Sequence, residues 1–298
     1  MVHGKWSAGD YVFNIVNYTV LLLLVLACIY PFYYIFIYSI SDAKAASTGM
    51  SVTFLPVQVT LRNYMEVFKI EGMAQAALIS VLRTGIGTAA TVLCSGFFAY
   101  LVTKPLYFRK AIYRMTIITM YFSPGLIPVY LTMRMYHLYN NFWVYIVPGL
   151  VSAYYVILIK TFIEQLPASL EESAMLDGAG AITIFSRIIF PLSMPIIATI
   201  AVFVAVGHWN SWFDNYIYVQ PKELTTLQLK LYQMLRAASA QAEKAIQATG
   251  PLAHEETSIT PMAIRMTVTM VVTLPILFVY PFMQRYFVKG IMMGAIKG

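Results

Sequence analysis

The sequence predicts an all-α, polytopic membrane protein with six transmembrane helices, and three observations predict it. Of 298 residues, 59% are hydrophobic and only 11% charged, where a soluble domain carries roughly 25%. Apolar runs recur at about 15–40, 84–102, 115–133, 142–163, 191–211 and 262–284. Each approaches the ~20 residues that a helix rising ~1.5 Å per residue needs to cross a core of about 30 Å. Most charged residues stand between the runs. The length would allow two soluble domains, but the apolar runs exclude them. A net charge of +7 comes without a basic patch interleaved with aromatics, and membrane proteins gather Lys and Arg on their cytoplasmic side. Cys28 and Cys94 lie inside apolar runs and are read as packed thiols.

Residues 1–14 form a short polar segment with Lys5 and Trp6, and 15–40 carry no charge. Ala43-Lys44-Ala45 has small residues at cleavage-like spacing. The apolar stretch before it exceeds a signal-peptide core of about 7–15 residues, so it is read as an uncleaved helix. A polar connection follows at 41–73, with Pro56. Arg83, at the edge of the second run, is read as snorkelling to the interface; inside the bilayer it would mark a functional site. Lys104, Arg109, Lys110 and Arg114 crowd the next loop. Pro124, Gly125 and Pro128 require the third run to bend or break. Arg134 and His137 mark a brief turn before the fourth run, and a loop at 164–190 leads to the fifth. In the polar excursion 212–261, Leu227, Leu231, Leu235 and Ile246 predict a helix over 225–247, ended by Gly250-Pro251. The last run is expected to bend at Pro275 and Pro281 before a basic tail, 285–298.

Glu164 to Pro195 is the most informative stretch. Ser169 and Glu172 have capping-box spacing, with Pro167 just upstream. Leu170 and Ala174 fall on one face of the helix they open, away from Glu171 and Glu172. Gly178 and Gly180 end that helix. Ile182, Phe185, Ile188 and Ile189 predict a second, and Pro191 opens the next membrane run. The expectation is two short amphipathic helices joined at a glycine elbow on the membrane surface. Glu171, Glu172 and Asp177 are the acids that a basic rim on another protein could meet.

Orientation follows from charge in the short loops. The loop holding Lys104, Arg109, Lys110 and Arg114 and the tail with Arg285, Lys289 and Lys297 outweigh Arg134 on the other side. Both termini and the glycine-elbow loop are therefore expected in the cytoplasm, and 212–261 outside. The chain contains no G-x-x-x-x-G-K-[ST], H-E-x-x-H, C-x-x-C or G-x-S-x-G. Its four histidines, His3, His137, His208 and His254, lie far apart. No catalytic residue, metal site or nucleotide site is expected, so if the chain works against a gradient a partner must supply the energy.

Glu172-Ser173-Ala174, Asp177-Gly178-Ala179 and Ile188-Ile189-Phe190-Pro191 resemble the EAA loop of ABC-importer permeases in spacing throughout. Ser173 and Phe190 depart from the usual residues. The stretch Gly207 to Asp214, with Trp209, Asn210 and Trp212, resembles the end of the fifth span in carbohydrate permeases. Gly290 to Gly298 is similar to the tail of the second maltose-type permease. The enlarged excursion 212–261 suggests the branch handling oligosaccharides and complex polysaccharides. Ile79-Ser80 stands where the family more often has Asn-Ser.

The resemblance covers nearly the whole chain. It implies a type I ABC-importer permease fold and a bacterial inner-membrane location. It also implies an assembly with a second homologous permease, two copies of a cytoplasmic ABC ATPase and an external solute-binding protein, with ATP and Mg2+ on the ATPase. The loop would insert a coupling helix into the ATPase, assigning that contact to Glu172, Ala174, Gly178, Ile188 and Pro191. Gly294 and Lys297 of the tail would reach between the ATPase subunits.

A sugar needs aromatic faces and amide or hydroxyl partners. Tyr121, Phe122, Tyr154, Tyr155, Trp209, Asn210 and Trp212 are the candidates on spans that would line the path. Helix 225–247 either touches the binding protein or caps the bundle. An ABC permease for a non-sugar solute is the nearest alternative. An ion-coupled carrier would want paired ionisable groups within spans and an internal repeat; a membrane enzyme would want clustered polar residues.

Overall fold

In the computed structural model the described residues are 8–47, 54–247 and 260–292. Its main helices are α1 (Ala8–Ser39), α2 (Arg62–Lys69), α3 (Met73–Leu101), α4 (Arg109–Tyr121), α5 (Leu126–Met135), α6 (Ala153–Ile163), α7 (Ser169–Leu176), α8 (Met194–Asn210), α9 (Phe213–Tyr218), α10 (Leu227–Gln247) and α11 (Pro261–Met292). Among the described residues the only extended pairing is a single bridge, Ser41 to Val59. The chain divides into two compact units: residues up to Ile70 with Met234–Val271, and Glu71–Gln233 with the remainder.

Three helical stretches are each long and apolar enough to cross a membrane: Gly9–Ser39, Met73–Leu101 and Pro261–Val279. Two bent pairs, Phe142–Gly149 with Ala153–Ile163 and Ala181–Leu192 with Met194–Asn210, raise the number among the described residues to as many as five when each pair is counted as one span. The run 115–133 does not make a sixth unbroken crossing, because its helix stops at Tyr121 and resumes at Leu126. Pro124 cannot donate a backbone hydrogen bond, and Gly125 sits at φ 83°, where a side chain would be strained. The second helix begins at Met73, well before the expected Thr84. The last runs through Pro275 and Pro281 to Met292, so most of what reads as a tail continues it.

In the first unit, α1 leaves nearly all its apolar surface exposed, as suits a helix facing lipid. Cys28 is exposed there rather than packed. The C-terminal end of α1 is anchored by hydrogen bonds. Buried Asn63 on α2 donates to the Ser39 carbonyl at 2.9 Å and to the Ser41 carbonyl at 2.7 Å, satisfying groups that the helix terminus leaves orphaned.

The second unit holds the larger core. Its centre is α3, packed along α8 and α6, with Tyr100, Val156, Ile159, Ile189 and Ile200 buried. Gly87 permits the closest approach: a Cβ there would lie 2.6 Å from His208 Nε2. The fourth run breaks by 46° between Gly149 and Ala153, and α3 satisfies the groups this frees. Thr91 Oγ1 donates to the Gly149 carbonyl, and Ser95 Oγ to the Leu150 carbonyl, each at 3.1 Å. Ser95 Oγ also accepts from the Ser152 amide at 3.2 Å. Hydroxyls on a neighbouring helix are one of the few means of accommodating such a break at membrane depth.

Candidate functional site

The loop after α6 forms two helical arms. The capping box does not form: Ala168 is the N-cap, Ser169 is already helical, and no side chain caps the start. Amides of the first turn instead bond to the Pro167 and Ala168 carbonyls. The far end closes as a Schellman motif. The Ala179 amide donates to the Ala174 carbonyl at 2.9 Å and the Gly178 amide to the Met175 carbonyl at 3.0 Å. Gly178 takes φ 79° at the position that requires it.

The second arm is helical over Ala181–Ile184 and widens by one residue per turn over Phe185–Ile189. The widening precedes Pro191, which has no N–H for the Arg187 carbonyl and whose ring would crowd it. Ser193 then marks an 83° bend into α8. Ile184, Phe185 and Ile189 are buried and Ile188 is partly buried against the same core. Ile182 is exposed, so the buried stripe starts two residues later than its spacing suggested.

Ala174 is buried, whereas Glu172, Asp177, Gly178 and Pro191 are exposed. Glu171 is not a free surface acid. It forms an ion pair with Lys104 just past α3, the two side chains 17% and 18% exposed. Gly294 and Lys297 lie outside the described residues.

At the other end of α3 is a polar centre that sequence reasoning missed. Arg83 does not snorkel: its side chain is 3% exposed and ion-paired with Asp214. Arg83 also donates to the Ser211 carbonyl at 3.1 Å, and its guanidinium lies 4.6 Å from the centroid of the Tyr145 ring. Asp214 accepts in addition from Ser211 Oγ at 2.8 Å and the Asn215 amide at 2.9 Å. A carboxylate so supplied with donors offsets much of what desolvating the pair costs. The signal was available: Arg83 interrupts an apolar stretch, and Asp214 is the acid nearest the end of the fifth run.

A cavity of about 470 Å³ opens beside this pair, lined also by Thr91, Ser152, Tyr155, His208, Ser211 and Tyr218. Of the aromatic candidates, Tyr155 lines it, with Tyr154 edge-on at 5.7 Å. The others serve elsewhere. Trp209 Nε1 donates to the Val272 carbonyl at 2.9 Å. Asn210 accepts from Gln228 at 3.1 Å, and Trp212 stacks on Tyr232 at 4.0 Å. Tyr121 and Phe122 are 83% and 73% exposed at the break between α4 and α5. Of the expected aromatic set, Tyr155 alone lines this cavity.

Apolar helices of crossing length, a broken run whose freed backbone groups α3 satisfies, and a cavity within the second unit lined in part by charged and hydroxyl-bearing side chains mark a polytopic membrane protein. No family model matches the chain. The polygalacturonan/rhamnogalacturonan transport system permease protein YtcP of Bacillus subtilis (strain 168) is 33% identical over 288 residues, which is 96% of this chain and 98% of that one. Protein LplC of the same organism is 35% identical over 271 residues, 91% and 90% of the two chains. A crystal structure of a bacterial ABC transporter involved in the import of the acidic polysaccharide alginate superposes with a TM-score of 0.84 at 27% identity, covering 95% of this chain and 99% of that one. The chain belongs to the family of carbohydrate ABC-importer permeases, and it is an integral inner-membrane transporter subunit.

Proposed function

We propose that the chain is one half of the translocation path of an ATP-driven, binding-protein-dependent oligosaccharide importer. It pairs with a second homologous permease, two copies of a cytoplasmic ABC ATPase and an external solute-binding protein. ATP and Mg2+ act on the ATPase, and this chain itself catalyses nothing. Both termini and the loop 164–190 face the cytoplasm, in keeping with the Lys and Arg of the loop after α3.

The observation that carries this reading is the two-armed loop. A chain without a phosphate-binding motif holds a short helix, ended at a left-handed Gly178, with Glu172 and Asp177 exposed beside the elbow. Those acids suit a basic rim on the ATPase. Closure of the ATPase pair would draw the loops together and turn the spans from inward-open to outward-open. The cavity at Tyr155, His208 and Asp214 is this half's contribution to the path, offering ring faces and hydroxyl partners. Relatives named for polygalacturonan, rhamnogalacturonan and alginate make fragments of acidic polysaccharides the first substrates to test.

Affinity purification of the tagged chain should bring along an ATPase and a second permease of similar size. The reconstituted complex, given its binding protein, should hydrolyse ATP faster with one member of an oligosaccharide panel. Solute movement by the purified chain alone, or labelling of a cysteine at Glu172 only from outside, would overturn the proposal.

A further inference from the structure

We infer that Lys104 and Glu171 form the link that carries movement of α7 into α3, which makes both positioning residues for transport and withdraws Glu171 from the surface that meets the ATPase. The inference rests on the function proposed above and specifies how its loop is attached to the bundle.

Both arms of the loop grip the last turns of α3. The first holds by charge: Glu171 pairs with Lys104, whose ammonium also lies 4.3 Å from the centroid of the Tyr100 ring. The second holds by ring packing. Phe185 meets buried Tyr100 at 5.5 Å, Phe97 at 5.2 Å and Phe190 at 5.6 Å. The ion pair is largely shielded from solvent, so it is screened less than a surface pair. It is also oriented: Glu171 sits in the first turn of α7 and Lys104 just beyond the C-terminus of α3. Each charge therefore meets the favourable end of its own helix dipole.

α3 cannot easily absorb a push locally. Its 29 residues form one unbroken helix, and its other end is tied to the segment 211–230. Ser80 Oγ accepts from the Leu227 amide at 2.9 Å, Gln75 donates to the Glu223 carbonyl at 3.2 Å, and Arg83 holds Asp214. Movement entering at Lys104 is delivered beside the cavity. Glu172, one residue from Glu171, is exposed and remains for docking.

The test uses the whole importer complex in proteoliposomes and reads ATPase subunit retained, ATP hydrolysed and oligosaccharide taken up. Glu171→Gln and Lys104→Met are expected to keep the ATPase subunit and its hydrolysis. Uptake per ATP should fall roughly fivefold or more, the lower end of ordinary coupling between sites. Glu171→Asp keeps the charge on a shorter arm and should fall in between. The exchanged pair, Lys104→Glu with Glu171→Lys, should recover part of the loss but not all, because each charge then opposes its helix dipole.

Wild-type uptake per ATP in both single variants overturns the inference. So does an exchanged pair no better than Lys104→Glu alone, or loss of the ATPase subunit from the Glu171→Gln complex, which would place Glu171 in the docking surface. A wild-type chain that purifies with no ATPase subunit overturns the proposed function itself.

Discussion

Removing Asp214 leaves the Arg83 guanidinium, 3% exposed, where little water can solvate it, whereas Asp214 is 25% exposed and keeps the Ser211 hydroxyl and Asn215 amide as donors. Asp214→Asn is therefore expected to destabilise the folded subunit by about 3–5 kcal/mol, the usual result of orphaning a buried partner, and Arg83→Met by less. Arg83→Met with Asp214→Asn should cost less than Asp214→Asn alone, because no buried charge is stranded. Thermal unfolding of the detergent-solubilised complex reads the difference. Gly87 makes a second residue-scale prediction. Three ring atoms of His208 would lie 2.6–2.9 Å from an added Cβ, so the whole ring must shift. Gly87→Ala should cost about 1–3 kcal/mol, the range for overpacking, and His208→Ala should relieve most of it.

At the scale of elements, the breaks are where hydroxyls and glycines do the structural work. Removing Thr91 and Ser95 hydroxyls together (Thr91→Val, Ser95→Ala) orphans the Gly149 and Leu150 carbonyls. The expected cost is about 1–2 kcal/mol, since such bonds average about 0.6 kcal/mol each in membrane proteins and reach about 1.7. It should show as a lower thermal midpoint. Gly178→Pro cannot adopt φ 79° because the ring fixes φ near −65°. It should abolish uptake while the chain still inserts, as judged by membrane fractionation and uptake measured together. The same elements show what sequence periodicity reaches. The glycine elbow and the interruption at Pro124-Gly125 were legible, because each follows from backbone chemistry at one position. The missing capping box and the stripe at Ile184 rather than Ile182 were not. The first depends on whether Ser169 lies before the helix or in it, and the second on the widened turn ahead of Pro191.

At the scale of the assembly, docking through exposed acids should weaken with salt. Raising ionic strength from 0.1 to 1 M shortens the screening length from about 10 Å to about 3 Å. Retention of the ATPase should fall over that range for the wild type and change less for Glu172→Gln, measured by co-purification. Charge reversal, Glu172→Lys, should lose the ATPase at all salt concentrations. Retention of uptake by that variant would count against docking at this residue.

What the sequence determined by itself was whatever depends on composition and local spacing. That covers a membrane protein of helices, the positions of most apolar runs, and a loop whose E-x-A, G and I-I-x-P positions resemble one family. Tertiary structure decided the roles of the charged residues. Arg83 and Asp214 lie 131 residues apart and Lys104 and Glu171 lie 67 apart. Only packing of α3 against the segments after α6 and α8 makes them pairs rather than surface charges. The same holds for the aromatic candidates: Tyr155 faces the cavity and Trp209 bonds a carbonyl. A ring's place on a helix does not reveal which neighbour it meets.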